Sequence, residues 1–467
     1  MNGSNALRIV TLVVLPLLCL QTTVAADALE TLLERADAPR WPARYKAVRA
    51  IAALPQDDRI FKLRVLLRTD KRPKVREAIA WAGYLEPDLL NATLLGISAR
   101  KDPEPRVRRA AARALTRYRD RRSVGALVKA YQTETDHKTR LRIVQSLTEL
   151  TSAPCLLDKA AWKEWWTKHE GDAHLRPADV PPEKNEYDGI VLETRTVAAV
   201  RPKGAKKKPL PHLLVLPGFG WNTEIYGSYL LPLRQRASLT FVRLPSVQSL
   251  TGRSGYGNDV GTYPVARLVK ALERFREAHK IERFLILAPG ATGWIAMRYA
   301  QTHKKACAGL ILLDTAIDKK AYAAALRRAA RRGSKAEQFT AKTLLHENGL
   351  PFNESTLKRL HATALERSFY DPSDLEIAHF YRHASEPQGF AIVPPIVFSG
   401  RVRIETPTVF VYSGASAFST HHESARILKH FPNSLVTPIR GARGLPYLET
   451  NQEFHRVLEY FFERYFD

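Results

Sequence analysis

The stretch of this 467-residue chain best framed for chemistry is residues 285–300, LILAPGATGWIAMRYA. A hydrophobic strand runs into a small-residue turn and out into a helix, a layout that lifts the turn residue above the end of a sheet. Acyl transfer at such a turn needs three side chains. A serine attacks, a histidine takes its proton, and a carboxylate holds the histidine in the useful tautomer and stabilises its charged form. The turn position here is Gly290, which has no side chain to offer. Other hydroxyls and imidazoles lie elsewhere: Ser246, Ser249 and Ser254 on one loop, Ser416 and Ser419 on another, and His421 and His422 just beyond. None sits in a strand–turn–helix frame, and loop serines ordinarily make turns or caps. Asp314 ends the run GLILLD, where an aspartate either points into a pocket at the sheet edge or caps the following turn. The histidines are too scattered for a metal site, and the pair His421–His422 has no ligand partner at useful spacing. No cofactor is implied.

The elements that would position these residues are short buried runs separated by helices. IVLETRTVAAV, HLLVLPGF, LTFVRL, FLILAP, GLILLD and TVFVYSG read as strands; ARLVKALERFREAHK, TGWIAMRYAQTHKK and NQEFHRVLEYFFERYF read as helices. That alternation predicts a mostly parallel sheet covered by helices on both faces.

Within that frame the chain from residue 187 to 467 resembles the α/β-hydrolase superfamily. LVLPGFGWN is similar to its oxyanion-loop segment and LPSVQSLTGRSGYG to the loop written LPGHGRS in that family. IERFLILAPGATGWIAMRYAQTH follows the elbow segment; TPTVFVYSGASAFST and IRGARGLPYLETNQEFHRVL follow the acid and histidine segments. The resemblance implies a helical cap over about residues 318–400, where AIDKKAYAAALRRAARRGSKAEQ begins. It also places Gly290 where the nucleophile belongs, Ala417 where the acid belongs and Gly444 where the histidine belongs. All three are non-functional. Glycine adopts the strained backbone of an elbow at little cost, so Gly290 keeps the turn and deletes the hydroxyl. The family's oxyanion hole uses backbone N–H groups, here those of Phe219 and Ala291, with Gly218 and Asp314 beside them; side-chain loss leaves such donors in place. A pocket of that kind binds a small carbonyl or carboxylate without cleaving it.

The amino-terminal third is built differently. DKRPKVREAIAWA from Asp70, DPEPRVRRAAARAL from Asp102 and DHKTRLRIVQSL from Asp136 echo one another, with anchors Val75, Val107 and Leu141 about 32–34 residues apart and Tyr45 as an earlier copy. In each copy the Asp can cap a helix, Pro103 suits a first turn, and apolar residues recur at three and four. One such helix pair cannot bury its apolar face alone, so copies stack. The pattern resembles HEAT repeats and predicts an α-solenoid over residues 27–170. Arg106, Arg108, Arg109 and Arg113 are candidate docking residues for an acidic partner, or else bridge adjacent helices through carboxylates. Trp162, Trp165 and Trp166 are read as closing the open end of the stack. Residues 171–186, proline-rich, are read as a linker.

The first 26 residues read as a signal peptide: Arg8, the apolar run Ile9–Leu20 and the small residues Val24-Ala25-Ala26. Twelve apolar residues are too few to span a bilayer comfortably, so the chain is read as exported, periplasmic or extracellular, with no transmembrane span after processing. Cys155 and Cys307 fall in different domains and are read as small buried hydrophobes rather than a disulfide. A formal net charge of +25 attracts polyanions, yet no recognition motif accompanies it and specific nucleic-acid recognition is not implied. Three readings follow. The first is an exported pseudoenzyme that binds an envelope protein or an anionic polymer; the second is an active ester hydrolase using non-standard residues; the third is nucleic-acid binding with steep salt dependence and little sequence preference.

Overall fold

The structure, a computed structural model, describes residues 29–39, 41–54, 58–151, 153, 157–171, 182–199, 210–218, 226, 229–245, 265–346 and 403–467. The predicted signal peptide, most of the linker, residues 200–209, Phe219, residues 246–264 with their three serines, Cys155 and most of the predicted cap lie outside the described residues. The chain divides into two compact units, the first ending at Ala178.

The first unit is a stack of helical pairs. Helices α2 (Trp41–Ala52), α4 (Pro73–Leu85), α6 (Pro105–Leu115) and α8 (His137–Thr151) pack in sequence as one layer. Helices α3 (Asp58–Thr69), α5 (Ala92–Lys101), α7 (Arg121–Thr133) and α9 (Lys159–His169) form the other; a short helix, α1 (residues 29–36), precedes them. The apolar stripe is where the repeats predict it: Val75 and Val107 are wholly buried. The last copy is shifted, since Leu141 is half-buried and Ile143 takes the core position. Trp162 is wholly buried, and Trp166 lies so close to α7 that a Cβ on Gly125 would sit 2.9 Å from its ring.

Two local expectations need correction. The prolines that open these helices are Pro73 and Pro105, not Pro103. Asp70 and Asp102 do not cap; each lies two residues earlier and accepts the N–H of Arg72 or Glu104, turning the chain into the helix. Only the third copy lacks the proline, and there Asp136 caps directly by accepting the Thr139 N–H at 2.8 Å.

The second unit holds an eight-stranded sheet in the order β1-β2-β4-β3-β5-β6-β7-β8. The strands are β1 (Glu183–Tyr187), β2 (Ile190–Val197), β3 (His212–Val215), β4 (Ser238–Arg243), β5 (Phe284–Pro289), β6 (Cys307–Leu313), β7 (Thr408–Ser413) and β8 (Ser434–Ile439). β1 and β2 are antiparallel to their neighbours, and every pair from β4 onward across the sheet is parallel. This order, parallel except for the reversed strand β2 beside the edge, is that of the α/β-hydrolase fold. β5, β6 and β7 are buried throughout, which is why they read as continuous apolar runs.

Helices α10 (Val265–Ala278) and α11 (Thr292–Thr302) cover one face, packing Leu272, Phe275, Ile295 and Tyr299 against Leu214, Ile286, Leu310 and Phe410. The other face meets the chain end after α16 (Asn451–Tyr465); a Cβ on Gly309 would lie 3.0 Å from the Phe466 ring. The remaining helices are α12 (Lys319–Arg332), α13 (Lys335–His346), α14 (Ser424–His430) and α15 (Pro446–Glu449). Part of the expected linker is strand: residues 183–187 pair with β2 across the tight turn Asp188-Gly189, both at positive φ. Among the described residues no helix is long and apolar enough to cross a membrane.

Candidate functional site

The sheet's carboxyl edge brings the predicted site together from four strands. β5 ends at Pro289, Gly290 turns with φ +55°, and α11 starts after Ala291. Backbone bonds fix the turn: the Gly290 N–H donates to Leu313 O at 2.7 Å, and Gly290 O accepts from Thr315 Oγ1 at 3.0 Å. A Cβ built on Gly290 would meet no atom of the described residues within 4 Å. Three residues on, the opposite holds: a Cβ on Gly293 would collide with the Thr315 side chain, so that glycine lets α11 approach β6. The turn thus has the left-handed backbone of an elbow and open space where a nucleophile would stand. The Ala291 N–H, at the helix start, has no partner among the described residues.

Asp314 follows β6 at φ +47°, a conformation non-glycine residues rarely adopt. It neither caps the following turn nor stands free. Its Oδ1 accepts the Ser413 N–H at 2.7 Å and its Oδ2 meets Ser413 Oγ at 2.5 Å, tying β6 to β7. Burial pushes its carboxyl up to about 7 against the pull of Ser413, and the charge of Glu449 adds to the rise.

The acid position, Ala417, lies in the turn after β7. Its N–H donates to Glu337 Oε1 at 2.8 Å, and its carbonyl accepts from Arg328 Nε at 3.2 Å. Glu337 is buried and its other oxygen takes the Ser334 N–H at 2.8 Å, while Ser334 Oγ accepts the Glu337 N–H, so the start of α13 is a capping box. Arg328 also reaches Ser419 O. The turn is therefore clamped from α12 and α13. Gly414 allows the tight approach of β8 here, since a Cβ would lie 2.9 Å from Ile439 O.

The histidine position, Gly444, lies in the turn after β8. The Glu449 carboxylate spans this turn, accepting the N–H groups of Arg443 at 2.7 Å and Gly444 at 3.2 Å. Tyr447, wholly buried, packs its ring 5.0 Å from that of Tyr226, whose hydroxyl donates to Leu216 O at 3.0 Å. Gly218, two residues past Leu216, is half-buried at the same edge. The structure thus brings Gly290, Asp314, Ala417 and Gly444 to one sheet edge.

Of the replacement groups, Ser419 and His421 do meet, with Ser419 Oγ 2.8 Å from His421 Nδ1. Ser419 is buried, and burial, then the charges of His422 and Arg328, lowers the imidazole's affinity for a proton. Ser416 turns inward to accept the Phe418 N–H. Among the described residues no cluster of His, Cys, Asp or Glu could hold a metal. Cys307 is buried, which pushes its thiol up to about 12. Glu337, Arg328, Ser413 and Glu449 were not singled out from the sequence. Ser334-Lys-Ala-Glu337 was the one legible signal among them, a capping box.

The four candidate docking arginines are all engaged within the stack. Arg106 lies 3.7 Å from Glu77 and Arg109 3.7 Å from Asp136. Arg113 meets Glu149 and the Tyr84 hydroxyl, each at 2.9 Å. Arg108 forks onto Glu134 at 2.7 and 2.8 Å and donates to Asp102 O; Arg76, one repeat earlier, forks onto Asp102 and donates to Asp70 O. Equivalent arginines thus make equivalent rungs. Burial alone would raise the Glu134 carboxyl, but Arg108 and the N–H groups of Asp136 and Thr135 hold it below its ordinary value.

A family model describing HEAT repeats matches residues 92–162. No curated protein matches the chain. Among solved structures it is similar to a thermophilic esterase from Thermogutta terrifontis (16% identity, TM-score 0.38, 62% of this chain and 99% of that one). It is also similar to a hydrolase from Pseudomonas aeruginosa PA01 (17%, 0.42, 60% and 97%) and to proline iminopeptidase from Mycobacterium smegmatis (12%, 0.43, 61% and 98%). At these values none of their activities transfers to this chain.

Proposed function

We propose that the chain is an exported pseudoenzyme: a binding or scaffold protein whose second unit keeps a hydrolase frame without its reaction. The observation that carries the reading is Gly290, in an elbow conformation with open space above it and no side chain, beside Ala417 and Gly444 at the other two positions. Losing all three groups removes attack, proton transfer and orientation together. The Ala291 N–H, with the Phe219 N–H from the resemblance, suits a small carbonyl or carboxylate ligand. The repeat unit is the docking module for an envelope protein or an anionic polymer, read by a broad surface and charge rather than by nucleic-acid sequence. The test uses purified full-length chain with short-chain aryl esters and a fluorophosphonate probe. No turnover and no labelled serine are expected; turnover abolished by one serine substitution overturns the reading.

The contact between Ser419 and His421 favours a second reading, an ester hydrolase using non-standard residues. It requires labelling at Ser419, lost in Ser419→Ala. The burial of Ser419 and the grip of Arg328 on its carbonyl weigh against it.

A further inference from the structure

Cations on the α12–α13 hairpin are available in a way the repeat arginines above are not. Lys319, Lys320, Arg327, Arg331 and Arg332 on α12 are exposed, and among the described residues none of them has an ion pair or hydrogen-bond partner. The only acidic residue of α12 and α13, Glu337, is buried and already accepts the Ser334 and Ala417 N–H groups. At about 100° per residue, Lys320, Arg327 and Arg331 fall on one stripe, and Ala321, Ala325 and Ala329, all buried, fall on the opposite side. The stripe spans about 16 Å at about 1.5 Å per residue. Its flanks hold the half-buried Ala323, Ala324 and Ala330 and, on the other side, Arg328, which is engaged with the Ala417 and Ser419 carbonyls.

We infer that this stripe is a docking track for a linear acidic polysaccharide, a chain whose sugars carry carboxylates. A row of unpaired cations along one helix suits an extended polyanion better than a compact ligand, and arginine forks match carboxylates. The hairpin's two aromatic residues, Tyr322 and Phe339, are half-buried rather than exposed, and Tyr322 packs T-shaped with Trp294, which leaves little surface for stacking bases. It also exposes no large apolar side chain that would enter a bilayer. The inference rests on the binding reading only in treating the chain as a binder, and it gives an anionic polymer a surface on the second unit, separate from docking by the repeats.

The test is fluorescence anisotropy of labelled polygalacturonate against the full-length chain, at increasing salt. The variant Lys320→Glu/Arg327→Glu/Arg331→Glu is expected to weaken binding at least about tenfold and to flatten the salt dependence. Lys304→Glu/Lys305→Glu/Lys429→Glu, an equal charge change on exposed positions of the second unit outside α12, is expected to weaken it less than about threefold. Equal losses in both variants overturn the track, because net charge alone then explains binding. So does stronger competition by single-stranded oligothymidylate or by phosphatidylglycerol vesicles than by unlabelled polymer. If the charge-reversed α12 variant unfolds, Lys320→Gln/Arg327→Gln/Arg331→Gln decides: unchanged affinity overturns the proposal. Ester turnover on the same preparation is a separate readout. Turnover would sink the silent-site reading while leaving a helix-specific loss of polymer binding intact.

Discussion

The Glu337 carboxylate accepts the backbone N–H of Ala417 at 2.8 Å, so the turn expected to carry a triad acid is held by a carboxylate from another element. The same side chain closes the capping box at Ser334. One buried group thus orders two segments 80 residues apart in the chain.

Removing that acceptor leaves a half-buried N–H without its partner. Glu337→Ala is expected to destabilise the second unit by about 2–3 kcal/mol and Glu337→Gln by about 1 kcal/mol, since the amide keeps an oxygen but loses its charge. Hydrogen exchange at the Ala417 amide checks this directly. Unchanged protection in Glu337→Ala would show that the bond does not hold the turn.

Two half-buried groups give the second unit opposed pH slopes. Burial pushes Asp314 from 3.8 up to about 7, so between those values the folded state keeps a proton that the unfolded chain has released. Its contribution therefore falls as pH rises from about 4 to about 7, by at most about 4 kcal/mol. Burial, and then the charge of His279, lowers His212 on β3 from 6.5 to about 4, so its contribution is lost as pH falls across that interval. Asp314→Asn keeps acceptor and donor toward Ser413 and is expected to remove the first slope; His212→Gln is expected to expose it. Urea unfolding from pH 4 to 8 measures both, and identical profiles in all three proteins would refute the assignment.

The two elbow glycines are expected to respond differently. Gly290→Ala meets open space and costs only the left-handed backbone, about 1 kcal/mol. Gly293→Ala must displace Thr315 and is expected to cost about 2–3 kcal/mol. Chemical denaturation followed at Trp294, which packs in this core, separates them. A larger loss at Gly290 would mean that the space above the turn is not free.

In the repeat unit, Arg108→Ala strands the buried Glu134 carboxylate and is expected to cost about 3 kcal/mol. Arg108→Met/Glu134→Leu is expected to recover most of that loss, because both charges leave together. Thermal unfolding of the three chains gives the comparison; an unrescued double variant would locate the cost in packing instead.

The sheet was legible because β3, β5, β6 and β7 are buried on both faces and read as unbroken apolar runs. β1 was hidden because EKNEY is an exposed edge strand with no apolar run, specified by its turn and its pairing with β2. β8 was missed for a similar reason, its sequence SLVTPI being interrupted by Thr437 and Pro438. At the site, Asp314 was legible as the end of an apolar run, while Gly290, Ala417 and Gly444 came from the resemblance to the hydrolase pattern. Their fastening came from Glu337, Ser413 and Glu449, whose partners lie far along the chain or depend on the fold of a turn, and no local pattern announces such pairs. The arginines of the third repeat show the same limit from the other side: composition registers their charge, and only the neighbouring helix reveals that it is already compensated.

Gly290 also sets the terms for any attempt to install chemistry here. On the proposed reading, a serine placed at this turn would meet no described atom within 4 Å and would bear only the left-handed backbone, yet Ala417 and Gly444 would offer it neither carboxylate nor imidazole. Building a working triad in this frame would therefore take three coordinated substitutions rather than one.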